Sequence, residues 1–569
     1  MYRSLFSTFL FSILVIILQG QVLPPDDWFH KDSELDNILG ISTDRTYNEL
    51  LKGREGQTVV VAILDSGVDA DHEDLNDVMW VNHDEIPGNN KDDDNNGYKD
   101  DIHGWNFIGG PDGKNVHHDT YEVTRLYAKY KYKYENADRD KLTRKQRDEY
   151  DKFIEYKKVV EKEREKAAKN LSKIEQSEAM LVNAIDALAE AVGDASLNME
   201  TIDSLEQLNQ PALMIGINVY KEATSAGVEI SSIEDMKELL TEELQHAKDY
   251  YSNKLEYAYN PDFNPRKIIG DDYSDPNEWQ YGNNDVEGPD AAHGTHVAGI
   301  VAAERNNGIG INGISKNAVI MSVRTVPDGD ERDKDVANAI RYAVDNGASV
   351  INMSFGKGQS WNKEIVDEAV KYAAKHDVLL VHAAGNSNQD NDRENNFPND
   401  LFEKSFFLCK GEAKNWLEVG ALSYQSDENM IASFSNYGRK GVDVFAPGVA
   451  MYSTVPGSEY QQMQGTSMAA PVVAGIAATI RSYFPTLTAE QVKEIIMEST
   501  IPITSKVKRP GDNELVEASE ISVTGGVVNL YKAIKLAQET KGKSKARKSR
   551  KWRQYDEAWE KVQERRDRA

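Results

Sequence analysis

Four short segments set reactive side chains beside residues that let a backbone turn or approach closely. Asp65 stands in Ala62-Ile63-Leu64-Asp65-Ser66-Gly67-Val68-Asp69, directly after the apolar run of residues 58–64. A carboxylate at a strand's carboxyl end, before a glycine turn, is placed for acid or orienting work. Asp-Ser-Gly is also an ordinary turn sequence. His293 begins His293-Gly294-Thr295-His296-Val297-Ala298-Gly299, after a Gly/Pro/Asp-rich loop and at the start of an apolar helix. An imidazole there can exchange protons or cap the helix. It can also share a metal with His296, but no obvious third and fourth ligands accompany the pair. Ser467 lies in Gly465-Thr466-Ser467-Met468-Ala469-Ala470-Pro471, where a long Ala/Val-rich helix begins. Its hydroxyl falls near the positive end of the helix dipole and suits either a nucleophile or an N-cap. Asn386, in Ala383-Ala384-Gly385-Asn386-Ser387, ends another buried run, and its amide can donate to a developing oxyanion.

These residues need a scaffold, and the apolar pattern supplies one. Runs at 58–64, 318–323, 349–353, 378–383, 417–422 and 442–445 read as strands buried on both faces. Helical patterns at 293–304, 333–346, 362–376 and 467–484 alternate with them. That alternation predicts an α/β fold with a doubly wound, mostly parallel sheet, whose sites form at the strands' carboxyl ends. Residues 114–265 break the pattern, being rich in Lys, Glu, Asp and Tyr and poor in strand signals. Positions 150, 153, 157, 160, 164, 167, 171, 174, 178, 181, 185, 188 and 192 step by three and four and are mostly apolar. They predict a long helix with one apolar face, in an inserted α-helical subdomain; self-packing is the expectation, and the catalytic domain or a partner are the alternatives.

The four motifs fall where an active-site edge would, in the order Asp, His, Asn, Ser. Together VAILDSGVD, HGTHVAG, INMSFG, AAGN and GTSMAAP resemble a subtilisin-like serine protease, a subtilase, over roughly residues 58–106 and 281–538. The resemblance implies Ser467 as nucleophile, His293 as general base and then acid, and Asp65 as the group that orients and stabilises the imidazole. Asn386 and the Ser467 N–H would form the oxyanion hole. Ser354, Phe355 and Gly356 would pair with extended substrate. The segment after Val326 would flank it, and Asp328, Asp330, Glu331 and Asp333 there suggest a tolerance or preference for basic side chains upstream of the cleaved bond. The implied function is an exported serine endopeptidase acting on proteins or peptides, with no cofactor required for chemistry. The competing class is a non-catalytic scaffold that keeps the fold and acts through the helical insertion.

Asp92, Asp94, Asn96 and Gly97 match the start of a calcium-loop pattern, but His103 occupies the position of its closing Glu. A simpler oxygen-ligand site for structural Ca2+, using Asp92, Asp94, Asn96 and Asp100, is the expectation; a solvated turn is the alternative.

The chain has 569 residues and a net charge of −28, which argues against a nucleic-acid partner. Its single cysteine, Cys409, forms no intrachain disulfide and reads as a small buried residue. Arg3 precedes an apolar run at 5–18 that is about 21 Å long as a helix, short of a bilayer core of roughly 30 Å. This reads as a signal peptide over 1–20, and therefore export with no stable membrane span once it is removed; an uncleaved anchor is the alternative. The expected layout continues with an N-terminal segment at 21–57 and a first catalytic part at 58–113. The insertion at 114–265, a second catalytic part at 266–540 and a basic tail at 541–569 follow. His293 lies 228 residues beyond Asp65, and the insertion fills that gap. The ends of the insertion fall near the active-site edge, where it is expected to restrict access to the cleft. Residues 21–57 are too few for the folded propeptide of many subtilases, so either folding assistance is unnecessary or the insertion supplies it.

Overall fold

Every residue of Val59–Asp65 is buried, so a strand that alternates its side chains must be covered on both faces. In the computed structural model, which describes residues 24–544 except 194, 226, 227, 229 and 404–410, this segment is β1. The signal segment, Cys409 and all but the first four residues of the basic tail lie outside the described residues. The catalytic-motif residues belong to one of two compact units, comprising Pro24–Leu126 and the chain from Asn264 onward.

Its sheet contains β1, β2 (Gly104–Asn106), β3 (Ala318–Arg324), β4 (Val350–Met353), β5 (Leu379–Ala383), β6 (Trp416–Leu422) and β7 (Val444–Pro447). The spatial order is β7-β6-β5-β4-β1-β3-β2, all parallel. Two short strands extend it beyond β7: Gly526–Val527, parallel to β7, and Ile501–Pro502, antiparallel at the edge. Val59, Val61 and Ile63 face a layer containing α1 (Ala292–Ala302) and residues of the later helix Thr466–Tyr483, such as Val472 and Ile476. Val60, Ala62 and Leu64 face the opposite layer, with α2 (Asp333–Asp345) and α3 (Lys363–Lys375). The helix Thr466–Tyr483 is α4 below. The sequence pattern placed these strands to within two residues. It did not reveal β2 or the antiparallel hairpin of Met451–Val455 and Glu459–Met463, whose second strand is polar.

The N-terminal segment is integral to the core. Trp28 and Phe29 are fully buried, and the Trp28 indole N–H donates to the Ala450 carbonyl at 3.1 Å.

The second unit, Tyr127–Phe263, is helical. The helix Arg144–Val192 runs for 49 residues from a Thr143/Gln146 capping box. Its buried positions include Phe153, Val160, Ala167, Ile174, Leu181, Ile185, Leu188 and Val192, the stripe read from the sequence. The later part of the stripe packs on helices Pro211–Ser225 and Ile233–Asn253. Gly216 permits that approach, since a Cβ there would lie 2.6 Å from the Ala184 carbonyl oxygen. Arg164 interrupts the stripe because it donates to the carbonyls of Leu255 and Tyr259. No helix among the described residues is long and apolar enough to cross a membrane.

Residues 114–126 belong to the first unit, where buried charges tie them down. Lys357 Nζ lies 2.8 Å from both Glu122 and Asp333 and donates to the Glu331 carbonyl at 2.6 Å. Arg125 pairs with Glu122 at 2.9 Å, and Arg332 with Asp119 at 2.6 Å. Although burial opposes it, the charges of Arg125 and Lys357 hold the Glu122 carboxyl down at about 2. Farther along, Arg266 bridges Asp271 and Asp335, and Lys334 joins Asp271 to Glu278.

Removing one cation from such a cluster leaves carboxylates buried and uncompensated. Lys357→Met is therefore expected to cost about 3–5 kcal/mol, read as a lower urea midpoint. An unchanged midpoint would show that the cluster is not held by charge.

Candidate active site

The site is assembled where β1, β4 and β5 end side by side. Register pairs Leu64 with Met353 and Met353 with His382, so Asp65, Ser354 and the Ala383–Asn386 turn follow one another along the carboxyl edge. Asp65 closes β1 and is 2% exposed. Its carbonyl accepts the N–H groups of Thr325 and Val326 just after β3.

The carboxylate meets His293 because two glycines allow the backbones to close. Gly67 has φ +135°, and a Cβ on it would lie 1.9 Å from the Glu287 carbonyl oxygen. A Cβ on Gly294 would lie 2.0 Å from the Gly67 carbonyl oxygen. With both side chains absent, the start of α1 rests against the turn after β1. Asp65 Oδ1 then lies 2.7 Å from His293 Nδ1 and accepts the Ser66 N–H at the same distance. Asp65 Oδ2 is buried without a donor among the described residues. Burial opposes protonation of His293, but the charge and hydrogen bond of Asp65 outweigh it, so the imidazole pKa is raised. His296 has a different task. It is buried, its Nε2 lies 2.9 and 3.0 Å from the carbonyls of Met451 and Gln461, and burial pushes its pKa down to about 4. That geometry ties α1 to the hairpin and does not join His296 to His293.

Ser467 is the second residue of α4. Its Oγ donates to the Ser354 carbonyl at 3.1 Å, while Ser354 Oγ donates to the Ser467 carbonyl at 2.8 Å. This reciprocal pair fastens the start of α4 to the end of β4. Asn386 is oriented by Thr466, whose N–H and hydroxyl both donate to Asn386 Oδ1 at 2.9 Å. Two donors on one oxygen fix the amide, so its NH2 faces the other way. A methyl on Gly465 would lie 3.3 Å from Asn386 Nδ2 and 3.5 Å from the Ser467 nitrogen. Glycine leaves that space open, with two N–H sources on its border. Phe355 is buried in ring contact with His382, and Gly356 is exposed.

The acidic segment after Val326 turns mostly inward. Asp333 turns inward to Lys357, Glu331 is buried, Asp330 accepts the Glu122 N–H, and Asp328 lies 2.8 Å from His118 Nδ1. Asp330, Glu331 and Asp333 are thus engaged within the protein, and Asp328 remains exposed.

The Asp-rich loop brings Asp92 and Asp94 together with Glu85, with an oxygen of each within 4.8 Å of the others. Asn96 Oδ1 instead accepts the Tyr98 N–H, and the Asp100 carboxylate accepts the N–H groups of Asn89 and Asn90. Glu85 was not legible in the sequence, since it lies outside any ligand spacing. Buried Asp101 accepts hydrogen bonds from Tyr342, Asn82 and Asn96. Burial outweighs those bonds and pushes its pKa up to about 7.

Residues 200–528 match the subtilase family. Among similar proteins, the thermophilic serine proteinase of Bacillus sp. (strain AK1) is 41% identical over 230 residues, covering 40% of this chain and 50% of that one. Subtilisin E of Bacillus subtilis (strain 168) is 36% identical over 266 residues, covering 45% and 62%. The chain thus spans between half and about three-fifths of these relatives. A solved protease structure from Pseudoalteromonas arctica PAMC 21717 matches with 28% identity and TM-score 0.36, over 45% of this chain and 78% of that one. The family match takes in more than half of the sequence, and the chain belongs to the subtilase family. Asp65 lies before the matched residues and joins the site through its bond to His293.

His293 is expected to titrate above 6.5 in histidine-labelled NMR spectra, because the Asp65 charge favours imidazolium. In Asp65→Asn burial is opposed only by the weaker charge of Asp290, so the pKa should fall relative to the parent. Equal values in both proteins would show that the pair is not electrostatically coupled.

Proposed function

We propose that this subtilase is an exported serine endopeptidase that hydrolyses peptide bonds in polypeptides. The observation that carries this reading is the Asp65–His293 bond of 2.7 Å, at the edge where Ser467 and Asn386 also stand. At rest the Ser467 hydroxyl is held by the Ser354 carbonyl, and it exchanges that acceptor for His293 Nε2 when substrate enters. As Oγ attacks the peptide carbonyl, His293 takes the proton and Asp65 stabilises the imidazolium. The oxyanion develops in the space bordered by Asn386 Nδ2 and the Ser467 N–H. His293 then protonates the leaving amine, and water repeats the sequence to release the acid. Ser354 and Gly356 offer backbone to an extended substrate, with Phe355 packed beneath. The apolar run at 5–18 supports export. So does a relative, 34% identical over 269 residues, named the cell wall-associated protease of Bacillus subtilis (strain 168).

A structural calcium fits the loop at Glu85, Asp92 and Asp94, where three carboxylates converge and hard oxygen donors suit the ion. Asp100 stands outside that cluster, its carboxylate accepting the N–H groups of Asn89 and Asn90.

Two experiments test this reading. A fluorophosphonate probe should label the protein at Ser467, not at all in Ser467→Ala, and about 10²–10³-fold more slowly in Asn386→Ala, the usual loss for one oxyanion donor. A folded parent that takes no label would favour the scaffold reading. Millimolar calcium should raise the melting midpoint and a chelator lower it, with Glu85→Gln blunting both. A midpoint indifferent to both would remove the calcium.

A further inference from the structure

The geometry points to a second metal site, of different chemistry, formed by His117, His118 and Asp328, which takes a divalent transition-metal ion such as Zn2+. One ligand atom from each residue lies within 4.8 Å of the other two. The imidazoles of His117 and His118 are stacked, with centroids 4.1 Å apart and planes 15° apart. Neighbours in a regular strand point to opposite faces, so two adjacent rings on one side mark a local departure from that rule. His118 Nδ1 is already 2.8 Å from Asp328 Oδ2. Two ligands on one tetrahedral zinc, each about 2.0–2.1 Å from the metal, sit roughly 3.3 Å apart. The His118–Asp328 pair is about 0.5 Å closer than that, and all three ligand atoms lie within 4.8 Å of one another, so small side-chain adjustments would seat an ion.

The backbone beneath the three residues is held fixed. Asp119 N donates to the Asp328 carbonyl at 2.9 Å, and Asp328 N donates to the His117 carbonyl at 2.8 Å. Gly329 has φ +145°, and a Cβ on it would lie 2.3 Å from the Asp119 carbonyl oxygen, so glycine lets the two segments touch. His117 and Asp328 are exposed and His118 is half-buried, which leaves the ion a path from solvent. Two imidazoles and a carboxylate suit zinc, copper or nickel, unlike the all-carboxylate cluster of Glu85, Asp92 and Asp94. Water completes the coordination. Asp328 lies two residues beyond Val326, whose N–H donates to the Asp65 carbonyl. An ion here would therefore pin the segment that leads away from the catalytic carboxylate.

The test is calorimetric titration of Zn2+ into the full chain carrying Ser467→Ala, which prevents self-digestion, with calcium in excess. The expected result is one zinc per chain, with affinity at least ten-fold weaker in His117→Ala and in Asp328→Asn, both changes at exposed positions. Zinc should also raise the melting midpoint of the parent, and raise that of either variant less at the same zinc concentration. No binding by the parent, or equal affinity in the variants, would overturn the site. So would binding that survives both variants but disappears in His293→Ala, because the ion would then sit on the catalytic imidazole.

Discussion

The hydrogen bond between Asp65 and His293 joins residues 228 positions apart, and much of the first unit exists to make it short. A 2.7 Å contact between a strand end and a helix start requires the strand to stop at the right height and the helix to approach without side chains between. β1 meets the first demand because each of its residues is pinned in the core. Gly67 and Gly294 meet the second, since a Cβ on either would strike backbone at 2 Å or less. Orientation then sets the chemistry. A carboxylate confined to one imidazole edge raises the basicity of the ring and leaves its other nitrogen for proton transfer.

The same edge is steadied by charges that are expensive to bury. Glu122, Asp119, Arg125, Arg332 and Lys357 come from separate stretches of chain and satisfy one another. Such clusters contribute little net stability, but they fix the segments that carry them, because each unpaired alternative is costly. Lys357 lies three residues beyond Ser354, so the cluster also holds the segment that follows β4.

Legibility in the sequence followed the range of the interaction. β1 could be read because burial on both faces leaves an unbroken apolar run, and the long helix because its buried stripe repeats every three to four residues. Asp65, His293, Asn386 and Ser467 could be read because each sits at an element boundary with its own local signature. The inward turn of Asp333 could not be read, since its partner Lys357 lies in a distant segment and composition alone resembles a solvated surface. Glu85 was missed for the same reason: it reaches the Asp-rich loop through the fold and not through any spacing. The polar strand Glu459–Met463 carries no periodic signal and exists because its hairpin partner Met451–Val455 is anchored beneath α1.

The burial of Trp28 bears on maturation. An indole fully enclosed in the core and bonded to the Ala450 carbonyl is part of the finished molecule, and its loss would leave a void worth about 3–5 kcal/mol. Ile41 and Ser42 continue the attachment, the first through its carbonyl to the Leu530 N–H and the second through its hydroxyl to Asn529. Any trimming of the amino terminus must therefore stop short of Trp28. The strip around Trp28 is a permanent seam between the early and the late chain of the first unit.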